Sequence, residues 1–125
     1  MSIIEEIYQW NKERGLLDHS RAYNQTLESS FIAEELSELL RTNDPVEMVD
    51  AHIDSVFFQI GALCKLLGSP QSVQKAFSVV IEANKQKGKS TDKDGKITKD
   101  KAHFIEPQDA IKALLDDVVP KTTRC

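Results

Sequence analysis

FIAEELSELLRTNDPVEMVDAHIDSVFFQIG, residues 31–61, is the stretch whose reading decides the fold. Up to Arg41, the residues Leu27, Phe31, Ile32, Leu36, Leu39 and Leu40 recur at spacings of three and four, which marks one apolar helix face. Thr42-Asn43-Asp44-Pro45 breaks that pattern and starts another helix, with Asp44 as the cap, Pro45 in the first turn and Glu47 as a capping-box carboxylate. The stretch therefore spans two helices, one from about Tyr23 to Arg41 and one running on to about Leu67. A connection this short suits antiparallel neighbours.

Outward from this pair the punctuation repeats. Ile3 to Arg14 forms a first helix, with Ile3, Ile4, Ile7, Tyr8 and Trp10 as its apolar face and Gly15 as its stop. Leu16 to Ala22 is a connector. After Gly68-Ser69-Pro70 a fourth helix runs to about Lys87, with Val73, Ala76, Phe77, Val80 and Ile81 facing inward. Lys89 to His103 has no helical period and centres on Asp94-Gly95, a tight-turn signal, so a small hairpin or an ordered loop is expected. Pro107 opens a short last helix through about Leu115, and Val119 to Cys125 is expected to fray. The expected fold class is all-α: a four-helix bundle followed by a short hairpin or loop and a final short helix, in one domain over residues 1–118.

Composition excludes several classes of function. A chain of 125 residues that is 40% apolar and 29% charged has the balance of a folded domain with its own core. Its net charge of −4 offers no overall positive field for nucleic acid. That total conceals an asymmetry: Glu28 to Asp54 holds eight acids and one base, Arg41, whereas Lys85 to Lys101 holds seven lysines and three aspartates. Val56 to Leu67, the most apolar run, is interrupted by Gln59 and Lys65 and falls short of the roughly 18 residues of a membrane span. Glu5 and Glu6 stand where an export signal would be basic, and Cys64 and Cys125 have neither a pairing pattern nor a metal-ligand spacing. A reducing cytoplasm is the expected location, with Cys64 buried and inert.

The acids carry the functional signal. On a helical wheel at about 100° per residue, Glu35 lies between Phe31 and Leu39, inside the apolar stripe of its helix. Glu38 sits one turn on, at the stripe's edge, and Glu34 is rotated outward. On the next helix Glu47, Asp50 and Asp54, spaced i, i+3 and i+7, share one face beside Phe57 and Phe58, which Gly61 continues. No base follows on that helix until Lys65. Ionised carboxylates in an apolar stripe need a partner or a cation. All-oxygen ligands favour Mg²⁺, or Mn²⁺, over zinc.

Glu47 has a competing place in the cap, and acids on helices commonly form a solvated face. Asn84, four residues after Val80, falls on the inward face of the fourth helix, with Lys87 one turn later. An amide and ammonium groups from Lys87 and Lys85 can clamp a nucleotide, or can simply cap the helix and complement its dipole. Lys93, Lys96, Lys99 and Lys101 read as an exposed loop surface. Trp10 with Gln9 and Asn11 offers a stacking ring and hydrogen-bonding groups for a base, or core packing.

Taken in order, these segments resemble the MazG-like all-α nucleoside triphosphate pyrophosphohydrolases. The likeness rests on Glu34-Glu35-Leu36-Ser37-Glu38 as an EExxE motif, on Glu47-Met48-Val49-Asp50 continuing to Asp54-Ser55-Val56-Phe57-Phe58, on Gln9 through Leu16, and on Glu82 through Gly88 with Asp94-Gly95-Lys96 and Phe104. The resemblance implies Mg²⁺-dependent cleavage of a nucleoside triphosphate to monophosphate and pyrophosphate. It places the metal on Glu35, Glu38 and Asp54, supported by Asp50 and Glu34, with Glu35 and Glu38 catalytic. It also implies a homodimer or homotetramer whose sites neighbouring chains complete. One departure matters: many members carry a Glu three residues before the final Asp, where this chain has Ala51, so Asp50 or Glu47 must serve. That departure keeps open a nucleotide-binding protein without turnover. Phosphoribosyl-ATP hydrolysis is a further alternative, whereas a di-iron bundle lacks its Glu-x-x-His pairs.

Overall fold

The computed structural model describes residues 1–18, 23–87, 92–95 and 105–118, and among these every regular element is a helix. They are α1 (Ile3–Glu13), α2 (Gln25–Arg41), α3 (Pro45–Leu67), α4 (Pro70–Lys85) and α5 (Gln108–Val118). The expected hairpin lies outside the described residues except for residues 92–95. There Gly95 N–H donates to the Asp92 carbonyl at 3.0 Å, closing a turn. Phe104 and the tail also lie outside them. None of the helices is long and apolar enough to cross a membrane.

Local chemistry explains the boundaries. Ser2 and Glu5 form a reciprocal capping box that starts α1, and the Ser2 backbone N–H, then its hydroxyl, holds the Glu5 carboxyl below the ordinary carboxylate range. Gly15, at φ +70°, lets the chain turn back so that Gly15 N–H reaches the Lys12 carbonyl and Leu16 N–H the Asn11 carbonyl. This paired closure satisfies carbonyls that the helix end leaves open. Asn24 caps α2 through Leu27 N–H, and Asp44 caps α3 through Val46 N–H. The capping box expected from Glu47 does not form. Thr42 takes both parts instead: its hydroxyl donates to Glu47 Oε2 at 2.7 Å and accepts from Asp44 N–H at 3.1 Å.

The chain divides into two compact units, Met1–Val73 and Gln74–Cys125. In the first, α2 and α3 form an antiparallel hairpin, since a residue farther back from the connection on α2 meets one farther on along α3. Phe31 stacks on Phe58 with ring centroids 5.1 Å apart, and Glu28 binds Lys65 at 2.8 Å. Helix α1 packs on α3 by setting Trp10 edge-on to Phe57 at 4.9 Å, with Phe57 in turn edge-on to Phe58 at 6.0 Å. Close approach is possible because Gly61 has no side chain. A Cβ there would lie 3.3 Å from Nδ2 of Asn11, which is 4% exposed and donates to the Ile7 carbonyl. In the second unit, Gln86 Oε1 accepts from Ile105 N–H at 2.9 Å and ties the end of α4 to the residues leading into α5.

The inward face expected for α4 needs correcting. Val73 and Ala83 are its buried residues, whereas Val80 and Ile81 are exposed. Asn84, expected on that face, is exposed as well.

Candidate metal centre

Antiparallel pairing of α2 and α3 sets the acids of one helix against those of the other. Glu35 is 8% exposed, and its Oε2 is buried with no hydrogen-bond partner. Its carboxyl titrates above the ordinary value, first because burial disfavours the charge, then because Glu38 and Asp54 add negative potential. A hydrogen bond between protonated Glu35 and Glu38, and the charge of Glu34, push the same way. Asp54 is half-buried, while Glu34, Glu38 and Asp50 are exposed. No Lys, Arg or His within the described residues pairs with any of these five acids.

Beside this group, the α2–α3 turn encloses an open cavity of about 380 Å³ lined by Glu38, Arg41, Thr42, Glu47 and Asp50. Glu38 belongs to both sets. The acids thus form a continuous band from Glu35 and Asp54, through Glu38, to Asp50 and Glu47. Among the described residues no three His, Cys, Asp or Glu side chains converge on one metal position. Glu38 and Asp50 are exposed and, among the described residues, paired with no base.

One acid, Glu28, carries no expectation from the sequence, and a second, Glu47, expected in a capping box, has a different partner. Glu28 is buried and ion-paired to Lys65 across the two helices. Glu47 is engaged by Thr42, which the short spacing across the connection permits.

Of the expected nucleotide contacts, Trp10 is 38% exposed, with the Arg14 guanidinium 4.1 Å from its ring centroid, and Gln9 Nε2 donates to Glu13 at 3.1 Å. In the second unit, Asn84 Nδ2 donates to the Val80 carbonyl at 2.9 Å and Lys85 pairs with Glu82 at 3.0 Å. Lys87 is half-buried, and its N–H donates to the Asn84 carbonyl. The structure therefore sets Glu34, Glu38 and Asp54 near enough to Glu35 to act on its charge and sets Asp50 beside Glu38 at the cavity. No three of them converge on one metal position among the described residues, and the structure does not bring Asn84, Lys85 or Lys87 into this group. Comparison of the chain with protein-family models, curated proteins and solved structures returns no match, so the chemistry of this band has to be read from its own residues.

Proposed function

We propose that the α2–α3 acids bind Mg²⁺, or Mn²⁺, and that the protein is a nucleoside triphosphate pyrophosphohydrolase, releasing monophosphate and pyrophosphate. The observation that carries the reading is the unpartnered, buried Oε2 of Glu35 among acids that no base neutralises. Such a group either holds a proton or needs a cation, and all-oxygen donors suit a hard divalent ion. Glu35, Glu38 and Asp54 would hold the metal, with Asp50 in the place that Ala51 leaves empty of a ligand and Glu34 adding negative charge. Bound there, a divalent ion supplies charge neutralisation for the phosphates and lowers the pKa of coordinated water.

The chain's own groups supply the proton chemistry. Glu35 and Glu38, within hydrogen-bonding reach of one another, are placed to accept and pass the proton of an attacking water. The raised affinity of Glu35 for a proton suits it to that task near neutral pH better than an ordinary carboxylate. The order of the EExxE segment and the acids of α3 supports triphosphates as the substrate class. The homo-oligomer expected from the same likeness is supported by α3, which leaves Val46, Val49 and Ile53 exposed at spacings that share one helix face.

The test is incubation with a panel of ribo- and deoxyribonucleoside triphosphates, canonical, deaminated and oxidised, with Mg²⁺, scoring monophosphate and pyrophosphate. Release of the two in equal amounts from at least one triphosphate is expected. Absence of turnover across the panel refutes the enzyme.

A further inference from the structure

Helix α3 carries an apolar seam that is covered at one end and bare at the other. Val46, Val49, Ile53 and Val56, spaced three, four and three residues apart, occupy the a and d positions of a heptad. All four are between 47% and 75% exposed, whereas Ile60 and Leu67, which continue the same heptad, are buried. The covered half is where α1 packs, with Trp10 against Phe57 and Asn11 beside Gly61. Asp50 and His52, both exposed, flank the bare half on opposite sides, so the seam itself carries no charge.

The bare half exposes roughly 400 Å², a size at which an apolar patch marks an interaction site. A standard interface takes about 800 Å² from each partner, about 56–65% of it non-polar. The seam therefore supplies most of the apolar area that one copy has to bring to a stable dimer.

Its spacing says which occupant fits. A pattern of three, four and three reads the same in both directions, so it is complementary to a reversed copy of itself about a two-fold axis level with Ala51. Val46 then meets the partner's Val56, and Val49 meets the partner's Ile53, each layer pairing an a with a d position. The antiparallel direction is favoured because the copies overlap only over residues 46–56, and the covered half of each runs out past Pro45 of the other. A parallel copy would set two covered halves side by side.

We infer that α3 pairs antiparallel with α3 of a second copy along Val46, Val49, Ile53 and Val56, which rests on the homo-oligomer reading above and adds its surface and register.

The experiment combines sedimentation velocity of the wild-type chain with disulfide trapping of two variants, Val49→Cys and Ile53→Cys. Both also carry Cys125→Ser, so that the buried Cys64 is the one native thiol left. In the inferred register Val49 lies opposite the partner's Ile53. Two copies of the same residue are instead displaced by four positions, about 6 Å along the axis, which is out of disulfide reach. Circular dichroism verifies that each variant keeps its helices. The wild-type chain is expected to sediment as a dimer or larger assembly, and the two variants mixed and oxidised together to give at least about tenfold more disulfide-linked dimer than either alone. Trapping in either variant alone that equals the mixture, with the wild-type chain still oligomeric, overturns the seam and its register and leaves the homo-oligomer standing. A monomeric wild-type chain overturns both and assigns the seam to another part of the same chain or to a different protein.

Discussion

One oxygen of Glu35 is buried without a partner, and Glu38 and Asp54 press on the charge of the same carboxyl. Its proton is therefore held more tightly in the folded chain than in the unfolded one. A group with a raised folded value stabilises the fold fully below its unfolded value, and that contribution is lost as pH rises through the folded value. For the metal-free protein, melting temperature should thus fall as pH is raised from the ordinary Glu range, near 4.5, toward neutrality. Glu35→Gln should flatten that slope and raise the metal-free melting temperature at neutral pH by a few degrees, because an amide can donate to Glu38 where a carboxylate repels it. Scanning calorimetry at a series of pH values in the presence of a chelator measures this. An identical slope in the variant would show that Glu35 is not the group responsible.

At the scale of helices, the α2–α3 hairpin is pinned by Glu28 and Lys65, whose side chains are only 5% and 11% exposed. Removing one partner strands a buried charge. Lys65→Met should destabilise the chain by about 3–5 kcal/mol in urea unfolding, while the double change with Glu28→Leu should recover most of that loss. Equal losses in the single and double variants would argue against the pair. This ion pair also marks the limit of what the sequence discloses. Helix boundaries were legible because Pro45, Pro70, Gly15 and Gly68 act through their own backbone chemistry, and Glu35 was legible because a wheel places it between Phe31 and Leu39.

Side-chain choices between helices were not legible in the same way. Glu47 bonds to Thr42 rather than closing its own capping box, since both geometries satisfy the same short loop. The face of α4 was misplaced because a wheel weighted by bulky Val80 and Ile81 overlooks Ala83, a small residue that is nevertheless buried. Asn84 was displaced with that face, and its amide bonds back to its own helix.

Across the whole chain, charge and apolar surface are distributed unevenly, and each pattern makes a demand. Val46, Val49 and Ile53 on α3 and Leu36 and Leu40 on α2 are exposed, Val46 at 75% and Leu40 at 78%. Apolar residues in such numbers on one hairpin favour burial against a second copy. Sedimentation velocity should find a dimer or larger assembly, and Val49→Lys with Ile53→Lys should shift it to monomer; a monomeric wild-type chain would remove that reading. The acidic half makes the stronger demand, because among the described residues Glu35, with Glu38 and Asp54 acting on its charge, is paired with no base. Calorimetric titration of the metal-free protein with Mg²⁺ and Mn²⁺ tests that demand most directly. Saturable binding is predicted, weakened at least about tenfold by Glu38→Gln and by Asp54→Asn, each removing one charged ligand. Absence of saturable binding, or affinities that neither substitution alters, would contradict the account.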